Sequence, residues 1–192
     1  MKKNFALFGT SADPPTIGHK KILEELSKIY DFTISYVSNN PNKKHKEDIS
    51  IRSNLLKTLI EELDNPKILF NQSVSSKWAV ESINNFKNTY EFNNLDFVIG
   101  SDLIQDIFCW KNFNKIKEEV SFFIIIREGY PVESITLERL ETFKVKFEIS
   151  TIKIPNISSS KFRLDSDYSY LPSSLIDTIK KNNLYVSTKL VE

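Results

Sequence analysis

The sequence predicts an α/β fold: a Rossmann-like, doubly wound parallel sheet with a small C-terminal helical subdomain. Three observations predict it. Short apolar, β-favouring runs alternate with amphipathic segments of helical period. The residues best suited to chemistry follow directly after such runs, where parallel sheets bind ligands. From about residue 156 the alternation stops and two successive helices read through to the end, so about 1–155 forms the core and 156–192 the helical part of one domain.

The elements follow in order. Phe5–Phe8 is a first strand, closed by Gly9. In Lys20–Tyr30 the residues Ile22, Leu23, Leu26, Ile29 and Tyr30 share one helical face. Phe32–Val37 is a second strand, and Ile51–Leu63 repeats the helical pattern through Leu55, Leu56, Leu59, Ile60 and Leu63. Ile68–Phe70, Leu95–Ile99, Phe122–Ile126 and Val145–Ile154 are further strands, with helices expected at Ser76–Phe86 and Lys111–Val120. Ser158–Leu164 and Ser173–Asn182 are the closing helices, the second following Pro172.

Composition narrows the function. Twenty-six Lys and Arg against twenty-five Asp and Glu leave a net charge of +1, which argues against a dedicated nucleic-acid binder. Cys109 is the only cysteine, so an intramolecular disulfide and a multi-cysteine zinc site are both excluded. No stretch approaches the roughly 18–20 apolar residues of a membrane span. The run after Met1–Asn4 is too short for a signal peptide. A cytoplasmic protein without membrane or nucleic-acid partners is expected; oligomeric state stays open.

The segment Gly9–His19 holds two of the four glycines and one of the two histidines. Gly9 permits a sharp turn and close approach of a ligand to backbone. Pro14 and Pro15 stiffen the approach. Thr16 is placed as N-cap of a helix whose first turn is Ile17, Gly18 and His19. Free N–H groups and the helix dipole there favour an anion. Gly18 is expected to clear space for a phosphate, with Thr16 and His19 as side-chain donors. No Gly-Lys-Ser/Thr follows, which excludes a P-loop.

Thr16-Ile17-Gly18-His19 resembles the (H/T)xGH signature of the nucleotidyltransferase superfamily, and Ile157–Arg163, ISSSKFR, resembles its ISSTxxR signature. Residues 97–116, with Gly100-x-Asp102 and the Trp110-Lys111 pair, are similar to the bacterial nicotinate-nucleotide adenylyltransferase family, as are 125–130 and 170–185. Over nearly the whole chain, the resemblance implies adenylyl transfer from ATP to nicotinate mononucleotide, with Mg²⁺ carried by ATP and no dedicated protein ligands for it. Nicotinamide mononucleotide or phosphopantetheine as acceptor, and a silent nucleotide-binding regulator, are the alternatives.

The resemblance also implies roles. His19, Thr16 and Lys43 are the catalytic set. Gly9, Thr10, Ser11, Gly18, Ile157, Ser158, Ser159, Ser160, Arg163 and Asp102 bind ATP, with Asp102 on ribose or capping the next helix. Trp110, Lys111 and Lys44 meet the mononucleotide, Trp110 by stacking on the pyridine ring. Lys43 and Lys44 compete for one phosphate contact, with Lys43 preferred. His45 is expected to be a bystander, with a role as phosphate donor as the alternative. Arg52 stands evenly between a structural role and a phosphate contact. Ser160 replaces the usual Thr, and Ser76-Lys77-Trp78-Ala79 departs from the family's Ser-Tyr-Thr stretch.

Overall fold

The computed structural model describes residues 3–40 and 43–186. Met1, Lys2, Pro41, Asn42 and 187–192 lie outside the described residues, and with them parts of the N-terminal lead, of the lysine loop (NPNKKHK, residues 40–46) and of the C-terminal stretch. Six strands form one parallel sheet: β1 (Lys3–Thr10), β2 (Phe32–Val37), β3 (Ile68–Phe70), β4 (Phe92–Gly100), β5 (Ser121–Ile125) and β6 (Phe147–Ile149). Their order is β3-β2-β1-β4-β5-β6, so the sheet grows outward from β1 in one direction and then from β4 in the other. The reversal between β1 and β4 opens a crevice at their carboxyl ends.

The helices are α1 (Ile17–Ile29), α2 (Ile49–Leu63), α3 (Ala79–Thr89), α4 (Phe113–Glu119), α5 (Ser134–Thr142), α6 (Ser159–Asp165) and α7 (Ser173–Lys181). Alternate side chains of β1 build two cores. Phe5 and Leu7 join Ile83 and Phe86 of α3 and Ile116 of α4. Ala6 and Phe8 join Leu23 and Leu26 of α1 and Leu56 and Leu59 of α2. The central strands are apolar on both faces because helices cover both. A third cluster sets Leu175 and Ile179 of α7 and Phe162 of α6 against Leu55 of α2.

Three expectations change. The last strand ends at Ile149, not Ile154, because it pairs only with β5 at the sheet edge. Ile152 and Ile154 leave the ladder and pack beside the α1–α2 core. The third helix starts at Ala79, since Trp78 is extended. Helix α5 went unread: its short sequence SITLERLET mixes β-branched and charged residues, and only Thr136 and Leu140 are buried. Among the described residues no helix is long and apolar enough to cross a membrane.

Candidate active site

A cleft of about 930 Å³ occupies the crevice between β1 and β4. The loop from β1 to α1 forms its floor. Thr16, extended and fully buried, is the N-cap of α1 and closes a capping box with His19. His19 Nδ1 accepts the Thr16 backbone N–H at 3.0 Å and lies 2.9 Å from the Thr16 hydroxyl. An amide N–H can only donate, so Nδ1 carries no proton. The neutral ring therefore holds its proton on Nε2. Burial, and then the charge of Arg127, lower the His19 pKa to about 4. The ring keeps part of its surface toward the cleft while protein surrounds its other sides.

The two signature segments form one unit. Ser159 Oγ donates to Pro14 O at 2.8 Å. Arg163 donates to Asp13 O and, from Nη2, to Ser160 Oγ at 3.1 Å. Ser158 Oγ caps α6 by accepting the Lys161 N–H at 3.1 Å. Gly18 lies beneath this junction and does not line the cleft. A Cβ there would stand 3.2 Å from Ile157 O. The expectation that Gly18 clears space for a phosphate is corrected: it lets α1 approach the second signature. Gly9 serves packing too, since its Cβ would meet the Tyr36 ring at 2.6 Å.

The lysine loop is tied to the same floor. Buried Asp13 accepts the N–H groups of Lys46 at 2.8 Å and Glu47 at 3.2 Å. Arg52, 2% exposed, donates to Glu47 O and Ser11 O, at 3.0 and 2.7 Å. Its two readings thus separate: Arg52 is spent on backbone carbonyls and does not line the cleft. Lys43, Lys44 and His45 do line it. His45, set aside as a bystander, has a buried Nε2 without a hydrogen-bond partner. Its pKa is lowered by burial first and by Arg52 next.

At the end of β4, Asp102 lies inside a single 3₁₀ turn, Ser101–Leu103, preceded by Gly100. It is therefore not the N-cap. Its Oδ2 accepts from Arg127 Nη1 at 3.0 Å, and its Oδ1 is buried without a partner. Gly100 leaves room for this pair, because a Cβ would fall 2.2 Å from Asp102 Oδ1 and the side chains would have to shift. Trp110 is partly buried, its ring centroid 5.9 Å from Phe97 and 6.2 Å from Phe122. Trp78 lines the same cleft, with Lys77 and Lys111 ammoniums 5.0 and 5.3 Å from its ring centroid. Lys111 also pairs with Glu81 at 3.0 Å.

The cleft brings together Gly9, Thr10, Ser11, Thr16, His19, Lys43, Lys44, Asp102, Trp110, Lys111, Ile157–Ser160 and Arg163. Gly18 alone of the expected residues stands outside its lining. Reading by motif passed over Arg127 and Asp13. Arg127 had a signal, since it directly follows the fifth apolar run. Asp13 had none beyond its place before Pro14.

Residues 7–164 match the model of a family described as cytidylyltransferase-like. A Clostridium tetani protein described as a probable nicotinate-nucleotide adenylyltransferase is 31% identical over 201 residues, covering 96% of this chain and 100% of that one. A Borrelia hermsii protein of the same description is 31% identical over 198 residues, covering 96% and 98%. The solved structure of Plasmodium falciparum nicotinic acid mononucleotide adenylyltransferase complexed with NaAD superposes with a TM-score of 0.79. It is 26% identical and covers 95% of this chain and 97% of that chain.

Proposed function

The chain belongs to the cytidylyltransferase-like family, and we propose that it transfers the adenylyl group of ATP to nicotinate mononucleotide, forming deamido-NAD and pyrophosphate. The relatives named for that activity support the reading over nearly the full chain. The observation that carries it is His19: a neutral imidazole at a helix start, its Nδ1 occupied by Thr16, in a cleft with Trp110 on another wall.

In this reading a phosphate oxygen of the mononucleotide attacks the α-phosphorus, and the bond from that phosphorus to the bridging oxygen breaks. Pyrophosphate takes the electron pair. The nucleophile is already an anion, so the protein needs no strong general base. Its work is alignment and charge stabilisation. His19 Nε2–H donates to an α-phosphate oxygen as negative charge is redistributed. Thr16 holds the ring in that tautomer. Gly9, Thr10 and Ser11 present backbone to the phosphates. Lys43 meets the triphosphate, and Ser158–Ser160 with Arg163 meet the leaving group. Asp102 accepts from ribose hydroxyls, Trp110 stacks on the pyridine ring, and Lys111 and Lys44 attend the mononucleotide.

The phosphate-facing groups, Lys43, Lys44, His19 and Arg127, are cationic or neutral donors, a set suited to a triphosphate that carries its own Mg²⁺. When bound, the ion neutralises phosphate charge. The ion would arrive on the triphosphate with no side chain of its own here, since Asp102, the carboxylate with one oxygen unpartnered, is given to the ribose hydroxyls. The whole of 1–192 is read as one nucleotidyltransferase domain, working in the cytoplasm.

The test is Mg²⁺-dependent pyrophosphate release from ATP, paired in turn with nicotinate mononucleotide, nicotinamide mononucleotide and phosphopantetheine. Release with the first, and weaker release with the others, is the expected outcome. Release only with another acceptor replaces the substrate assignment. ATP binding without release from any of them makes the chain a nucleotide-binding regulator.

A further inference from the structure

Tyr185, after the last helix, hydrogen-bonds to Glu47, the residue that directly follows the lysine loop. It is 5% exposed and does not line the cleft. Its ring packs on Phe162 of the second signature, with centroids 6.1 Å apart, inside the cluster formed with Leu55, Leu175 and Ile179. Its backbone N–H donates to Glu47 Oε1 at 3.0 Å, across 138 residues.

Glu47 is held at three points. Its N–H reaches Asp13 Oδ1, its carbonyl accepts Arg52 Nε, and its carboxylate accepts Tyr185 N–H. The same Arg52 reaches Ser11 O through Nη1, and the same Asp13 accepts Lys46 N–H. One short network therefore joins the phosphate-facing β1–α1 loop, the lysine loop and the C-terminal segment. Lys43, Lys44 and Lys46 are exposed and carry like charge within four residues. These three lysines are not held by burial; of the neighbouring side chains, His45 is the largely buried one, beside Asp13. The loop's place is set by the backbone anchors around Glu47.

We propose that Tyr185 is a positioning residue: by anchoring Glu47 it braces the lysine loop, so the C-terminal segment sets ATP affinity in a cleft it does not line. The proposal rests on the reading that Lys43 meets the triphosphate. A brace of this kind acts on binding, because a loop that must be ordered by ligand weakens affinity.

The experiment measures calorimetric affinity of the full chain for Mg²⁺-ATP, with thermal unfolding of each variant alongside. Glu47→Ala weakens ATP binding about tenfold, the loss expected from one charge-assisted hydrogen bond. Glu47→Gln keeps a carbonyl acceptor and restores affinity to within about twofold, which a change of general stability would not do. Tyr185→Ala keeps the backbone N–H but removes the ring packing on Phe162 that places it, so it weakens binding by at most as much as Glu47→Ala. Adding Glu47→Ala to it costs no more than Glu47→Ala alone, because both act on one tether. Should Tyr185→Ala fail to fold, the two Glu47 variants decide alone. A folded Glu47→Ala chain that binds ATP like the wild type overturns the brace and leaves the proposed reaction standing. A wild-type chain that does not bind ATP overturns both.

Discussion

Ser159 Oγ donates to Pro14 O at 2.8 Å, across 145 residues of sequence. With Arg163 on Asp13 O, it fixes the second signature against the first. A cleft assembled from distant segments is only as well aligned as its junction. Ser159→Ala leaves Pro14 O without its donor, at about 1 kcal/mol. Unfolding in urea reads that loss. In the proposed reaction, kcat/KM falls by roughly tenfold, more than stability alone implies, because both walls shift. Unchanged kinetics would separate the junction from catalysis.

His19 carries the heaviest prediction. His19→Ala removes a preorganised donor, which costs roughly 10²–10³ in kcat. Steady-state pyrophosphate release measures it. A loss of only a few-fold would move the α-phosphate contact elsewhere in the cleft.

The same residue makes stability depend on pH. Its pKa is about 4 when folded and 6.5 as a free side chain. Between those values the unfolded chain binds more protons, so stability rises with pH across the window. The contribution is complete above about 6.5 and is lost as pH falls toward 4. His19→Gln lacks this slope. Urea unfolding of both proteins from pH 7 to 5 checks the difference. Nitrogen NMR of the wild type should report an Nε2–H tautomer at neutral pH.

Gly100→Ala places a methyl group against Asp102 Oδ1, 2.2 Å away, and against Arg127 Cδ, 2.7 Å away. The Asp102–Arg127 pair must open. The expected result is a loss of roughly 1–3 kcal/mol in stability, as for other overpacked sites. Substrate affinity falls with it. A crystal structure of the variant with the pair intact would contradict this account.

Trp110→Ala removes an aromatic plane from the cleft wall. Stacking of a base on such a plane contributes about 1–3 kcal/mol. The KM for nicotinate mononucleotide rises roughly tenfold or more while the KM for ATP changes little. Trp110→Phe, which keeps packing on Phe97 and Phe122, recovers part of the loss. An equal rise in both constants would mean that Trp110 supports the fold rather than the acceptor.

The parallel sheet was legible because its inner strands are buried on both faces and rich in β-favouring residues, apolar throughout in Phe122–Ile125 and broken only by buried Thr33 and Ser35 in Phe32–Val37. The edges were less so. Beyond Ile149 the chain stays apolar at Ile152 and Ile154, yet it leaves the ladder to pack on the other core. Helix α5 is held mainly by Thr136 and Leu140, too few buried positions to stand out as a period. Among site residues, His19 and Ser158–Arg163 were visible because motifs are local. Arg127 was not, since its place depends on which segments the sheet brings to one end.

The sequence by itself determined the strand–helix alternation, the N-cap at Thr16 and the identity of the donors that follow β1. Those depend on neighbours a few residues apart. Only the tertiary structure decided what each donor is free to do. His19 is neutral because protein surrounds it and Thr16 occupies Nδ1. Arg52 is unavailable to a ligand because it is buried outside the cleft, with N–H groups on Glu47 O and Ser11 O. Gly18 faces Ile157, not the cleft, because α6 returns to the start of α1. Some partners are local, as Thr16 is to His19 and Glu47 to Arg52, but the burial around them and contacts such as Arg52 to Ser11, 41 positions away, and Ser159 to Pro14, 145 away, appear only when the chain is folded.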